Sequence, residues 1–126
     1  MKKDLKTVLL IEDNQYNRAL ERTLIESAGY TVFEAEDAEE GFKMAKMKLP
    51  DIIIIDYQLP GMNGIRAMER LIGDPETHNI PCIIVTASAT ERDIELFKVS
   101  DARGYITKPI NTRTFVEQIV GLATAA

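Results

Sequence analysis

A doubly wound α/β fold, with five parallel strands in the order 2-1-3-4-5 and five helices, is predicted by three features of the sequence. Five short apolar segments, rich in aliphatic and β-branched residues, recur along the chain. Longer stretches with apolar residues at helical spacing separate them. Strand alternating with helix five times calls for a parallel sheet with helices on both faces. Right-handed crossovers leave few strand orders, and five strands favour 2-1-3-4-5.

Each element has its own signal. Thr7–Ile11 reads Thr-Val-Leu-Leu-Ile, a run suited to a strand buried on both faces. Residues 52–55 and 82–85 are of the same kind, whereas 30–34 and 105–107 are weaker, as strands nearer a sheet edge often are. Asn14 is placed to cap a helix on which Tyr16, Leu20 and Leu24 share a face and which ends at Gly29. Asp37 with Glu40 resembles a capping box ahead of Phe42, Ala45 and Leu49 at helical spacing. Pro50 stops that helix. Ile65, Met68 and Ile72 predict a third helix, closed by Gly73-Asp74-Pro75. Thr90 with Asp93 opens a fourth that turns Ile94 and Phe97 inward, and Asn111 caps a last one carrying Phe115, Ile119 and Leu122. No repeat, low-complexity stretch or linker interrupts the series, so residues 1–126 read as one domain.

Composition narrows the function. The 126 residues include 20 Asp plus Glu and 15 Lys plus Arg, a net charge of −5, which disfavours nucleic acid and anionic membrane as partners. Hydrophobic content of 45% with 28% charged residues is that of a folded soluble chain rather than a disordered one. A lone cysteine, Cys82, excludes an internal disulfide framework and suits a reducing, cytoplasmic setting. The apolar runs at 8–11 and 52–55 are too short for a signal peptide or a membrane span.

In an open α/β sheet, ligands gather outside the carboxyl ends of the strands, where the strand order reverses. Glu12 and Asp13 follow strand one, Asp56 follows strand three, Thr86 ends strand four and Lys108 ends strand five. Strands one and three are neighbours in the predicted order, so three carboxylates meet with a hydroxyl and an ammonium beside them. Clustered carboxylates repel one another unless a cation neutralises them. All-oxygen ligation with room for water suits Mg²⁺, whereas zinc would call for His or Cys. The lysine across the pocket makes sense if an anion such as a phosphoryl group must also be held.

Four motifs in sequence carry a family resemblance. Ile11-Glu12-Asp13-Asn14 is followed by Ile54-Ile55-Asp56 with Leu59-Pro60-Gly61-Met62-Asn63-Gly64, then by Val85-Thr86-Ala87, then by Tyr105-Ile106-Thr107-Lys108-Pro109. In this order and spacing, over residues 8 to 122, the chain resembles the receiver domain of two-component response regulators, of the chemotaxis-type single-domain kind with a flavodoxin-like fold. The resemblance implies that Asp56 is the phosphoacceptor, taking a phosphoryl group from a sensor histidine kinase or a histidine phosphotransfer protein. It implies Mg²⁺ held by Asp13, Asp56 and the backbone carbonyl of Gln58, with Glu12 acting through water. Lys108 and Thr86 would contact phosphoryl oxygens, and Thr86 with Tyr105 would form the switch. Signalling would pass through the face of helix four, strand five and helix five, around Ile94, Lys98, Tyr105 and Arg113. The family also implies a cis Lys108-Pro109 peptide, a monomer or a weak phosphorylation-dependent dimer, and no enzymatic activity beyond the domain's own phosphorylation and dephosphorylation. With no output domain in the sequence, the chain reads as a stand-alone relay or adaptor, or as a receiver excised from a hybrid kinase.

Rival readings meet specific obstacles. An aspartyl-phosphate phosphatase of the haloacid-dehalogenase type wants a second Asp two residues beyond its nucleophile, and Gln58 stands there. A nucleotide or flavin site wants a glycine-rich loop after strand one, where Glu12-Asp13-Asn14-Gln15 would instead repel phosphate. A pseudo-receiver would not need so complete a pocket. Asp101 stands where the family often has glycine, so the end of helix four is expected to be capped differently or to be looser. Tyr57 should point to the opposite face of its strand from Asp56 and pack under a helix. The only histidine, His78, falls in a turn-rich loop, Cys82 reads as a buried apolar residue, Met44 and Met47 as core or rim, and Lys43, Lys46 and Lys48 as a solvated helix face.

Overall fold

A computed structural model describes residues 5–125. The chain alternates strand and helix throughout. Its elements are β1 (Thr7–Ile11), α1 (Gln15–Ser27), β2 (Thr31–Ala35), α2 (Ala38–Lys48), β3 (Ile52–Asp56), α3 (Gly64–Ile72), β4 (Cys82–Thr86), α4 (Glu91–Val99), β5 (Gly104–Thr107) and α5 (Phe115–Thr124). The strands form one parallel sheet in the order β2-β1-β3-β4-β5, as predicted. Register is set by isoleucine and its neighbours, with Ile11 opposite Ile55, Ile55 opposite Ile84 and Ile84 opposite Tyr105.

Period-two alternation divides the strand side chains between two cores. Leu9, Ile11, Ile53, Ile55 and Ile84 face the layer of α2, α3 and α4, where Ala45, Met68 and Phe97 meet them. Val8, Leu10, Ile52, Ile54 and Val85 face α1 and α5, against Ile25, Phe115 and Ile119. Because both faces are covered, β3 and β4 are buried along their whole length. No helix among the described residues is long and apolar enough to cross a membrane.

The capping residues act largely as their spacing predicts. Asn14 accepts from the Asn17 N–H, Asp37 from Glu40 and Thr90 from Asp93. Asn111 departs from expectation. Its side chain accepts from the Arg113 N–H and stabilises a separate turn, so α5 begins four residues later at Phe115. Helix α4 ends without a left-handed residue: Ser100 is extended, and its hydroxyl donates to the Phe97 carbonyl. A serine thus carries out the closure of α4, ahead of Asp101.

Four side chains expected inward lie outside: Tyr16, Leu20, Met47 and Leu49, the last 54% exposed as the left-handed residue that closes α2. Tyr16 is 81% exposed and Leu20 38%, because the buried stripe of α1 runs through Ile25 and Glu21. At about 100° per residue, Tyr16 stands roughly 180° around the helix from Ile25. Met47 is also a surface residue at 72% exposure, while Met44 packs on the core rim.

One glycine holds the sheet and α3 in close contact. A Cβ on Gly64 would lie 2.6 Å from the Asp56 carbonyl oxygen and 2.9 Å from Tyr57 Cα, both backbone atoms with little room to yield. An alanine early in a helix is normally worth up to about 1 kcal/mol over glycine. Here the sign reverses: Gly64→Ala is expected to destabilise by about 2 kcal/mol in urea denaturation. A neutral or stabilising result would show that the segment carrying Asp56 can shift.

Candidate functional site

Chain order creates the pocket. β1 and β3 are adjacent, and the connections after them leave to opposite faces, α1 to one and α3 to the other. A crevice opens where they part. Glu12 extends β1, its N–H donating to the Ala35 carbonyl at 3.0 Å, and Asp13 follows; Asp56 closes β3. Carboxylate oxygens of Glu12, Asp13 and Asp56 lie within 4.8 Å of one another. Glu12 and Asp56 are buried at 1% and 4% exposure, whereas Asp13 is open to solvent.

Lys108 reaches this cluster from the end of β5. Its Nζ donates to Asp56 Oδ2 at 2.9 Å and to the two Glu12 oxygens at 3.3 and 3.4 Å. The other Asp56 oxygen, Oδ1, accepts from the Gln58 backbone N–H at 3.0 Å. The Lys108-Pro109 peptide is cis. Asp13 and Gln58 both line an open cleft of about 640 Å³ that continues along Leu59 to Asn63.

The charges set the chemistry. Burial first, and then the neighbouring Asp56, push the Glu12 carboxyl up to about 8, with Lys108 acting against them. Burial also works against the Lys108 charge, but the hydrogen bond and charge of Asp56, aided by Glu12 and Glu21, outweigh it and raise the lysine. Crowded carboxylates that take up a proton offer a divalent cation a favourable exchange. The donors are all oxygens, and one of the three carboxylates faces an open cleft with room for water. That set fits a hard cation such as Mg²⁺ and not a thiolate- or imidazole-seeking metal.

Thr86 ends β4, the neighbour of the strand that carries Asp56, and Tyr105 lies on β5. The Thr86 side chain is fully buried, and its hydroxyl donates to the Ser88 carbonyl at 3.0 Å while accepting from the Ser88 N–H at 3.0 Å. Ser88 Oγ in turn donates to Asp93 on the first turn of α4, which also accepts from Thr90. The half-buried Tyr105 ring packs on Phe97 of α4 at 5.4 Å between centroids. Tyr57 meets the same Phe97 edge-on at 5.2 Å, on the face expected for it. His78 is exposed, and Cys82 is buried with its thiol pushed up to about 12, so it is inert at neutral pH.

One residue that sequence reasoning missed is Glu21. It is 2% exposed on the inward face of α1, and burial pushes its carboxyl up to about 7, with Lys108 opposing and Asp56 adding. The signal was its position: Arg18, Glu21 and Ile25 recur at helical spacing, but two charges hid the stripe. An unfolded glutamate ionises near 4.5, so the native state holds its proton to higher pH than the unfolded chain. This residue's contribution is complete below that range and is lost as pH rises through about 7, a change of roughly 3 kcal/mol. Glu21→Leu should thus gain stability over the parent between pH 5 and pH 8 by roughly 2–3 kcal/mol, measured by urea denaturation at both values. An equal difference at the two pH values would dismiss a buried, titrating Glu21.

Comparison with known proteins places this geometry in context. The profile of the response regulator receiver domain matches residues 8–120. The polar-differentiation response regulator DivK of Brucella anthropi is 38% identical over 114 residues, covering 90% of this chain and 93% of that protein. A CheY-like receiver domain from Methanospirillum hungatei superposes with a TM-score of 0.84 at 26% identity, over 95% of this chain and 94% of the other. A response regulator structure from Chloroflexus aurantiacus gives a TM-score of 0.88 at 24% identity, over 97% of this chain and 100% of the other, a likeness of fold. On motif, architecture and pocket alike, the chain belongs to the response regulator receiver domain family.

Proposed function

We propose that the chain works as one receiver unit in a two-component phosphorelay, accepting a phosphoryl group on Asp56 and changing its surface in response. The observation that carries this reading is the setting of Asp56. It is a nearly buried carboxylate at the switch point, hydrogen-bonded to Lys108 at 2.9 Å and within 4.8 Å of two further carboxylates. An Asp56 oxygen would attack the phosphorus of a phosphohistidine on a sensor kinase or phosphotransfer protein. The P–O bond forms as the P–N bond breaks, and the imidazole leaves with the electron pair and takes up a proton. Mg²⁺, held by Asp13, Asp56 and the Gln58 carbonyl with Glu12 acting through water, would offset charge on the transferred group. Lys108 turns from the Asp56 carboxylate to a phosphoryl oxygen, a short move for an unbranched side chain. The protein positions and neutralises but does not turn over an external substrate, so it is a switch rather than an enzyme.

The switch follows from Thr86. Its hydroxyl is engaged by Ser88, so donation to a phosphoryl oxygen costs the bond to the Ser88 carbonyl and shifts the loop that leads to α4. Tyr105, stacked on Phe97, then has room to turn inward, and the face of α4, β5 and α5 changes. Both arrangements must lie within a few kcal/mol for phosphorylation to move the population. The setting that fits this role is the cytoplasm, with a protein target and no nucleic acid or membrane, the chain being a monomer or a weak dimer formed on phosphorylation.

Intact mass after incubation with acetyl phosphate tests the reading. A single phosphoryl adduct is expected with Mg²⁺, absent without it and absent in Asp56→Asn. Undiminished phosphate incorporation by Asp56→Asn would remove the nucleophile assignment. Lys108→Ala is expected to accept some phosphate yet show no change in the NMR spectrum around Tyr105 when beryllofluoride is added. A parent-like response in that variant would free Lys108 of its coupling role.

A further inference from the structure

Arg18 is half-hidden by what it holds. Its side chain is 12% exposed, and its Nη1 donates to the backbone carbonyl of Glu12 at 2.9 Å. On the other side Nη2 donates to Glu36 Oε1 at 3.2 Å, and Nε lies 3.6 Å from Glu34 Oε1. A helical side chain leans toward the N-terminus of its helix, which is how a residue on α1 reaches back to the strand before it. The carbonyl it grips belongs to the peptide joining Glu12 to Asp13. The Glu12 N–H is already held by the Ala35 carbonyl at 3.0 Å. With both backbone groups of Glu12 held, its φ and ψ are restrained, and with them the places from which the Glu12 and Asp13 side chains leave the chain.

Resting on the receiver reading, we propose that Arg18 is a positioning residue for the Mg²⁺ site, setting cation affinity through the Glu12-Asp13 peptide without touching the reacting atoms. Two physical points favour an arginine here. The planar guanidinium serves a carbonyl and two carboxylates at once, which an ammonium on a flexible stem cannot do with the same geometry. An uncompensated positive charge this near would also repel a divalent cation, and Glu34 and Glu36 offset it. Glu34 is itself held by Arg22 at 2.7 Å, so the counter-charge is fixed in place.

The test measures Mg²⁺ binding by titration calorimetry on the full chain, together with the rate of phosphorylation by acetyl phosphate across Mg²⁺ concentrations. Arg18→Ala is expected to weaken Mg²⁺ binding about ten-fold, the usual scale for loss of a group that orients a metal ligand. The rate at saturating Mg²⁺ should stay within about two-fold of the parent, since the chemistry is untouched. Arg18→Lys keeps the charge without the fork, and should recover only part of the lost affinity; if Arg18→Ala does not fold, Arg18→Lys decides by the same two readings. A folded variant with parent-like Mg²⁺ affinity, even one with a lowered melting temperature, overturns the inference and leaves Arg18 a merely structural residue. A saturated rate that falls as far as the affinity overturns it too. A parent chain that binds no Mg²⁺ overturns the receiver reading and this inference together.

Discussion

The contact of Lys108 with Asp56 and Glu12 is the one on which the rest of the pocket depends. Two buried carboxylates and a third at the rim would repel one another strongly in a region with little water. Burial, and then the neighbouring Asp56, hold the Glu12 carboxyl well above the ordinary carboxylate range against the pull of Lys108, so the pocket keeps a proton where a cation could sit. Such a site is electrostatically unfinished. It gains from a proton, from a divalent cation, or from any rearrangement that moves negative charge outward. Groups with ionisation perturbed in this way gather at functional sites, where a ligand can relieve the imbalance.

The fold provides the rigid frame that keeps this tension in place. Five strands buried on one or both faces leave their carboxyl ends aligned, so residues more than forty positions apart in the chain arrive within hydrogen-bond distance. The frame is buried throughout at β3 and more polar on the far side of the pocket. There the loop from Thr86 to Asp93 is tied largely through the side chains of Thr86, Ser88, Thr90 and Asp93. Polar ties of that kind exchange partners at small net cost, whereas packed isoleucines do not move without opening a void. A packed strand end carrying Asp56 and a loop held by polar ties thus lie side by side.

Much of this was legible in the sequence because strand ends are punctuated by chemistry. The apolar run at β3 stops at Asp56, and the run at β4 stops at Thr86, so both the strand and the polar residue at its end can be read from the change in polarity. Rotation of α1 was not legible. Tyr16, Leu20 and Leu24 form the more apolar stripe, yet tertiary contact buries Glu21 and Ile25 instead, since that side of the helix closes over the charged pocket. The start of α5 was misplaced for a related reason: Asn111 is a good cap, but it serves a tight turn, and capping chemistry alone does not distinguish a turn from a helix. For α1 the deciding contacts are distant in sequence, where local pattern carries no information; at Asn111 they are local, but the same capping chemistry fits either outcome.

The ring of Phe97 gives the protein an optical property. The chain has four tyrosines and no tryptophan, so its near-ultraviolet absorption and intrinsic emission come from tyrosine. Tyr57, next to Asp56, and Tyr105, on β5, both rest against that one phenylalanine, while Tyr16 stands 81% exposed. Any displacement of α4 therefore alters the surroundings of two chromophores and leaves the solvated one as an internal reference. The packing of a single helix is written into the spectrum of the unlabelled protein.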